Sequence, residues 1–248
     1  MNLKKQLPNL LTFANLFCGT VAIIFAIKGD FEATAILVAL GIVFDFFDGF
    51  TARLLHVHSE LGKQLDSLAD MVTSGVVPGI VMLQLLINSI DKDAVGYFGT
   101  DPEGATGSML PYIGLLLTLA AAYRLAKFNI DSRQTNHFIG LPTPAMNLLV
   151  VSLPLIIEYS PDMFFVNLVQ RPYFLITTTI ILSFLMNAEL SLFSLKFTGF
   201  SFKKNGVKYV FLALCLVLLL ILKFVAVPFI ILLYIVLSII NTLRNKAI

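Results

Sequence analysis

Apolar residues occur along the chain in long, nearly unbroken runs. Windows of about 19 residues isolate eight runs that approach the roughly 20 apolar residues needed to cross a bilayer. Such runs are helical in lipid, because no water is present there to hydrogen-bond an open backbone. The pattern predicts eight membrane-spanning helices, at residues 9–28, 33–53, 66–88, 109–128, 143–158, 172–187, 207–222 and 226–243.

The composition supports this class. Hydrophobic residues make up 58% of the 248 and charged residues 13%, with a mean hydropathy of +0.89. Soluble domains average about 45–50% apolar and about 25% charged residues. The net charge of +2 is too small to indicate nucleic-acid binding. Cys18 and Cys215 lie in apolar runs without a metal or redox motif, which is typical of small core residues. We expect an all-α polytopic membrane protein with about eight spans.

Basic residues sort to one side of the predicted membrane. With the N-terminus in the cytoplasm, 13 of the 17 lysines and arginines fall on the cytoplasmic side, as the positive-inside rule requires. The other side keeps Lys28, Lys92, Arg171 and Lys223. No small-residue cleavage site follows the first apolar run, so it is predicted to be a retained span. Both termini are expected to face the cytoplasm.

Four aspartates lie at or just inside the cytoplasmic ends of two apolar runs. Charged side chains at such depth are costly and usually serve a function. Asp45 and Asp48 are three positions apart and Asp66 and Asp70 are four apart, so each pair shares one helix face. A short connection lets the two helices pack antiparallel. The four carboxylates are therefore predicted to converge.

Converging carboxylates need cations to balance their charge. A set of oxygen ligands without histidine or cysteine favours Mg²⁺ or Mn²⁺ over zinc. Two such ions close together can clamp a phosphoryl group and activate an attacking hydroxyl. The sequence therefore predicts phosphoryl-group transfer, with two divalent cations bound by Asp45, Asp48, Asp66 and Asp70.

Small and basic residues accompany the aspartates at fixed spacing. Gly49 and Ala52 would let a nucleotide approach the helix backbone closely, as Gly62 would beside the second pair, and Arg53 has a guanidinium that matches a phosphate. The eight positions form the pattern D-x2-D-G-x2-A-R-x8-G-x3-D-x3-D. This pattern resembles the signature of the CDP-alcohol phosphotransferase family.

The resemblance implies a fold, a ligand set and an assembly. Members have a six-helix catalytic core, are usually homodimers, and bind two metal ions below a CDP group in a cavity open to the cytoplasm. Asp70 matches the base that takes the proton of the acceptor hydroxyl. The positions that match contacts to CDP-diacylglycerol are Asn9, Thr12, Asn15, Gly49, Ala52, Arg53, Ser59 and Gly62. The predicted division is a catalytic core at residues 1–190, then a cytoplasmic loop and two C-terminal transmembrane helices at residues 191–248.

Further segments bear on the acceptor alcohol. Four segments resemble the membrane-integral phosphatidylserine synthases of this family: PNLLTFANLFCG, GKQLDSLADMVTSGVVP, RLAKFNI and FIGLPTP. That resemblance implies phosphatidyl transfer from CDP-diacylglycerol to L-serine, in a prokaryotic inner membrane. Arg124 and Lys127 share one helix face and Arg133 follows, so a carboxylate has candidate cationic partners. The predicted serine contacts are Arg124, Arg133, Asn136, Gly140 and Thr143.

Two alternatives stay open at this point. A phosphorylated acceptor, glycerol 3-phosphate or an inositol phosphate, would use Arg124, Lys127 and Arg133 for its second phosphate. A divalent-cation transporter would also bury carboxylates among helices, but it would hold them near the bilayer midplane on broken helices.

Overall fold

The computed structural model describes residues 3–57, 59–90, 109–131, 138–192 and 202–246. In these ranges nearly every residue is helical. The helices are α1 (Leu3–Ile27), α2 (Phe31–Leu54), α3 (Glu60–Met71), α4 (Val77–Ile90), α5 (Leu116–Ile130), α6 (Thr143–Tyr159), α7 (Met163–Val169), α8 (Pro172–Asn187), α9 (Phe202–Leu222) and α10 (Ala226–Lys246). Two-residue strands β1 (Phe138–Ile139) and β2 (Ser191–Leu192) pair antiparallel.

The prediction of an all-α polytopic membrane protein is confirmed, and each predicted apolar run coincides with a helical segment. Five stretches in the described ranges are long and apolar enough to span a bilayer, and the pair α7 and α8, bent by 71°, gives a sixth if it counts as one span. The 17-residue α6 is shorter than these. The five stretches are Gln6–Ile27, Phe31–Leu54, Glu60–Ile90, Leu110–Ile130 and Lys208–Ile240.

The last of these stretches is a hairpin of two helices, α9 and α10. Lys223 lies between them with a φ of 49°, a value that interrupts a right-handed helix. The ring centroids of Phe211 and Tyr234 are 5.8 Å apart, whereas a continuous helix would separate these residues by roughly 34 Å. The two helices therefore run antiparallel, as the separate apolar runs at 207–222 and 226–243 predicted.

The chain from α3 to α4 occupies the centre of the fold. In the span Glu60–Ile90, 67% of the most apolar 18-residue segment is buried, against 17% to 33% of the corresponding segments in the other four spans. α6 is also buried over most of its length. The remaining helices surround these two and leave large apolar side chains exposed, as a protein that faces lipid does. The four aspartates therefore lie on or next to a central helix whose outer neighbours face lipid.

Two glycines bring α1 and α2 close to this central helix at Thr73. A Cβ added to Gly19 of α1 would collide with the Thr73 side chain and backbone. A Cβ added to Gly41 of α2 would lie 2.9 Å from both the Thr73 methyl group and Asn15 Oδ1. Small residues at helix contacts allow close backbone approach, which is a main source of packing energy in membranes. These contacts fix the positions of α1 and α2 relative to α3.

Replacement of Gly19 by valine should therefore destabilise the protein. The added side chain cannot fit against Thr73, and overpacking of this kind costs typically 1–3 kcal/mol. Thermal unfolding in detergent can be followed through the exposure of the buried thiol of Cys18. Gly206→Ala in α9 is the control, because a Cβ there meets nothing within 4 Å. Equal midpoints for the two variants would contradict the packing described here.

Candidate active site

Three of the four predicted metal-binding carboxylates meet at the ends of α2 and α3. One oxygen atom from each of Asp45, Asp48 and Asp66 lies within 4.8 Å of the others. Asp48 is 5% exposed, and the other two are half-buried. The three-residue spacing on α2 places both of its carboxylates on the face toward α3. The predicted convergence is therefore present for three of the four carboxylates.

Asp70 lies beside this group and not within it. It accepts a hydrogen bond of 3.5 Å from Asn15 Nδ2 of α1. Asp70 is one helical turn past Asp66, so it lies deeper along the central helix. The position separates it from the three carboxylates that share a common point.

The donor set fits a hard divalent cation. All of its ligand atoms are carboxylate oxygens, the type that Mg²⁺ and Mn²⁺ prefer. Within the described part of the chain, none of the four aspartates forms an ion pair with a lysine or arginine. Negative charges gathered without such a partner favour bound cations. Asp45, Asp48 and Asp66 could hold one ion between them, with Asp70 within reach of a second.

Helix α1 orients two of these carboxylates with polar side chains. Thr12 Oγ1 donates to Asp48 Oδ2 over 2.7 Å, and Asn15 donates to Asp70 as described above. Both residues are buried, at 4% and 1% exposure. Hydrogen bonds to metal-binding carboxylates fix their orientation and tune their affinity for the ion. The sequence predicted that these two residues contact a nucleotide; the structure shows in addition that their side chains bond to aspartates.

A cavity of about 580 Å³ opens beside Asp48 and Asp66. Its lining includes seven of the eight residues predicted to contact CDP-diacylglycerol; the eighth, Asn15, is outside the lining. The cavity is open at Gly49, since a Cβ there meets nothing within 4 Å. The seven residues are Asn9, Thr12, Gly49, Ala52, Arg53, Ser59 and Gly62, and the other lining residues are Pro8, Val57, Glu60 and Lys63.

The rim of the cavity is positively polarised. Helix α3 begins there, with Ser59 as the N-cap that accepts a bond of 2.9 Å from Gly62 N, and a helix N-terminus favours anions. Arg53 folds back along α2 and donates to Gly49 O over 2.9 Å. Lys63, which the site prediction did not include, lines the cavity and donates to Asn129 O over 3.0 Å. The sequence could have indicated Lys63 as a site residue, because it lies four residues, about one helical turn, after Ser59.

A π-helical turn, Val72–Val76, follows Asp70 directly. Val77 N donates to Val72 O, five residues before it, and in this π-helical register Pro78 has no N–H to donate to Thr73 O. Asn147 Nδ2 of α6 donates to Thr73 O over 3.1 Å, and Thr118 Oγ1 of α5 donates to Gly75 O over 3.0 Å. Turns of this kind are frequent at functional sites. Pro78 is the feature of the sequence that could have indicated this turn.

Arg124 lies on α5, a helix that packs against α3. It is 7% exposed and interacts electrostatically with Asp70. Lys127, the neighbouring cation, pairs with Glu189 at 4.0 Å. Thr143 is buried at the start of α6, one turn before Asn147, which bonds the π-helical turn. Arg124 and Thr143 therefore approach the centre of the fold from α5 and α6.

The remaining predicted serine contacts differ in their outcome. Gly140 has a φ of 75°, and a Cβ there would collide with the carbonyl of Met186. Its backbone N–H donates to Leu190 O over 2.9 Å. Turn geometry and close packing thus account for this glycine without a ligand. Arg133 and Asn136 lie outside the described residues.

Comparisons with known proteins support the pattern of residues. The family model described as CDP-alcohol phosphatidyltransferase matches residues 5–185. The CDP-diacylglycerol–serine O-phosphatidyltransferase of Bacillus subtilis (strain 168) is 28% identical over 177 residues, which cover 70% of this chain and 88% of that protein. The enzyme of the same name from Helicobacter pylori (strain ATCC 700392 / 26695) is 33% identical over 146 residues, 58% of this chain and 55% of that protein.

An archaeal relative is similar to the same extent. The archaetidylserine synthase of Methanothermobacter thermautotrophicus is 30% identical over 168 residues, which cover 64% of each protein. The matched region thus spans most of the Bacillus protein but less than two thirds of the Helicobacter and archaeal proteins. α9 and α10 lie beyond the residues that the family model matches.

Thr12→Val should weaken binding of Mn²⁺ by about tenfold, because loss of an orienting bond to a ligand typically costs 10–100-fold in affinity. Binding can be measured by electron paramagnetic resonance of free Mn²⁺. Thr20→Val is the matched control, since Thr20 lies on the same helix and its hydroxyl donates to a backbone carbonyl, Leu16 O, over 2.8 Å. Equal Mn²⁺ affinities in both variants would show that Thr12 does not orient Asp48.

Proposed function

The chain belongs to the CDP-alcohol phosphatidyltransferase family, and we propose that it transfers the phosphatidyl group of CDP-diacylglycerol to the hydroxyl of L-serine. The products are phosphatidylserine and CMP. One observation carries the proposal: the carboxylate cluster opens to a cavity lined by the family's signature residues, and the buried cation Arg124 of α5 interacts electrostatically with Asp70. The first feature suits a nucleotide diphosphate, and the second suits an acceptor with a carboxylate.

The cavity of about 580 Å³ is the proposed site for the CDP group. Gly49 and Ala52 have no side chain or a small one, so the nucleotide can lie against the backbone of α2. Arg53, Lys63 and the first turn of α3 supply positive charge and N–H groups for the diphosphate. Exposed apolar side chains on α1 and α2, such as Phe13 and Phe46, would accommodate the two acyl chains at the lipid boundary.

Asp45, Asp48, Asp66 and Asp70 are the proposed ligands of two Mg²⁺ or Mn²⁺ ions. When bound, such ions neutralise charge on the phosphates and lower the pKa of a coordinated hydroxyl. Thr12 holds Asp48 in place for this role. Asp45, Asp48 and Asp66, whose carboxylate oxygens converge, would form the part of the site that the two ions share.

Asp70 is the proposed general base. It takes the proton of the serine hydroxyl, and the oxygen forms a bond to the phosphorus that carries diacylglycerol. The bond from that phosphorus to the bridging oxygen breaks, and CMP leaves with the electron pair. Asn15 keeps the Asp70 carboxylate turned toward the cluster, and Arg53 at the cavity rim stabilises negative charge on the leaving group.

Arg124 is the proposed partner of the serine carboxylate. A guanidinium binds a carboxylate through two parallel hydrogen bonds, which fixes the direction of the acceptor. Thr143 supplies a buried hydroxyl nearby, whereas contacts from Arg133 and Asn136 stay predictions. We also propose that the protein lies in a prokaryotic inner membrane with this site toward the cytoplasm, that it forms a homodimer, and that residues 1–190 form the catalytic core.

The acceptor can be identified by CMP release from purified protein with CDP-diacylglycerol and Mn²⁺ or Mg²⁺. We expect release with L-serine and none with glycerol 3-phosphate or an inositol phosphate, because Arg124 offers one buried cation and Lys127 is paired with Glu189. Release with a phosphorylated acceptor alone would keep the donor site and refute serine. No release with any alcohol would favour cation transport over transfer.

Asp70→Asn should abolish serine-dependent CMP release, because an amide cannot accept the hydroxyl proton; loss of general-base catalysis typically lowers rates by about 10²–10⁴-fold. Binding of at least one Mn²⁺ should persist, because the group of three carboxylates is intact. Asp162→Asn, at the N-cap of α7, is the matched control and should retain activity. Undiminished turnover in Asp70→Asn would remove Asp70 from the role of base.

A further inference from the structure

Asn147 of α6 is a fully buried carboxamide whose hydrogen bond crosses to another helix. Its side chain is 0% exposed, and Nδ2 donates to Thr73 O over 3.1 Å. Its Oδ1 atom has no hydrogen-bond partner in the part of the chain that the structure describes. Burial of that oxygen is costly and offsets part of what the bond contributes to stability. The asparagine is therefore better explained by what its donor does at Thr73.

The carbonyl of Thr73 depends on this donor because of the register of the π-helical turn, in which Val77 N donates to Val72 O. The next residue, Pro78, has no N–H for Thr73 O. In an α-helical register, Val77 N would bond Thr73 O instead. The donor from α6 thus stabilises the π-helical register over the α-helical one. A change of register by one residue would rotate the helix that carries Asp70 by about 100° relative to α4.

The side chain of Thr73 continues the contact toward the carboxylate cluster. Thr73 Oγ1 donates to the backbone carbonyl of Asn15 over 3.2 Å, and Asn15 Nδ2 donates to Asp70 Oδ1 over 3.5 Å. Thr73 and Asn15 are each 1% exposed, so water has little access to these bonds. Three hydrogen bonds therefore join α6 to Asp70 through the π-helical turn and α1.

We propose that Asn147 positions Asp70 by holding the π-helical turn that follows it in register. Asn147 touches no reacting atom in this role; it acts on the orientation of the carboxylate through Thr73 and Asn15. This inference rests on the proposed function, because it needs Asp70 to act as the general base. A base takes a proton only when its oxygen reaches the hydroxyl, so a small displacement lowers the rate of transfer more than the affinity for substrate.

Asn147→Leu in the full chain tests this role, because leucine has a similar volume and cannot donate to Thr73 O. We expect kcat for serine-dependent CMP release to fall by roughly 10- to 100-fold, the size of effect that a small misplacement of catalytic groups produces. The KM values for L-serine and CDP-diacylglycerol should stay within about threefold, since binding groups are unchanged. The residues that line the donor cavity do not include Asn147.

Gln84→Met is the matched control. Gln84 of α4 is 1% exposed, and its Nε2 atom donates to Ile27 O of α1 over 3.2 Å. It is therefore also a buried carboxamide that bonds a backbone carbonyl of another helix. Its partner lies roughly 18 Å along α1 from Asn15. We expect a lower melting temperature in both variants and a lower kcat only in Asn147→Leu.

Thr73→Val tests the next bond of the chain, because it removes the hydroxyl that donates to Asn15 O and keeps the shape of the side chain. This variant should also lower kcat and leave both KM values within about threefold. The double variant with Asn147→Leu should lose less than the product of the two single effects, because both act through Thr73. If Asn147→Leu does not fold, Thr73→Val decides alone, and an unchanged kcat there would overturn the proposal.

Four other outcomes would also overturn it: an unchanged kcat in Asn147→Leu, an equal fall of kcat in Gln84→Met, multiplied effects in the double variant, or a higher KM for L-serine with kcat retained. The last would make Asn147 a contact of the acceptor. An unmodified chain without serine-dependent CMP release would refute the proposed function and this inference together. A serine-active chain with unaffected variants refutes only the positioning role.

Discussion

Repulsion among carboxylates is overcome here by the close packing of three helices at Thr73. Gly19 and Gly41 allow α1 and α2 to approach the central helix within the distance that a larger side chain would prevent. In a membrane this packing cannot rely on the hydrophobic effect between helices, so contact distance decides its energy. The aspartates of α2 and α3 meet because the helices that carry them are held at this separation.

The same packing gives α1 its part in the site. Once α1 lies against the central helix, Thr12 and Asn15 reach Asp48 and Asp70. An aspartate cluster without these donors would have carboxylates free to rotate away from a common point. The first helix is thus a component of the proposed catalytic centre as well as a membrane span.

The two sides of the cluster have different chemistry. At the end of α2 and the start of α3, the cavity is lined by Gly49 and Ala52 and carries Arg53 and Lys63, which suits a nucleotide diphosphate. Beyond Asp70 the helix carries a π-helical turn that α5 and α6 stabilise with Thr118 and Asn147. Those two helices also carry Arg124 and Thr143, so the elements that stabilise the turn also supply the proposed acceptor contacts. Donor and acceptor would then approach the carboxylates from different directions, as an in-line displacement needs.

The sequence by itself determined the class of protein and the reacting centre. Hydropathy identifies the helices because lipid leaves a backbone no other way to pair its polar groups, and the spacing of Asp45, Asp48 and Asp66 places them on facing sides of neighbouring helices. Only the tertiary structure decided that Thr12 and Asn15 bond aspartates and that the chain turns back at residue 223. These features are contacts between residues far apart in the chain, and their geometry depends on how the helices pack, about which local periodicity carries no information.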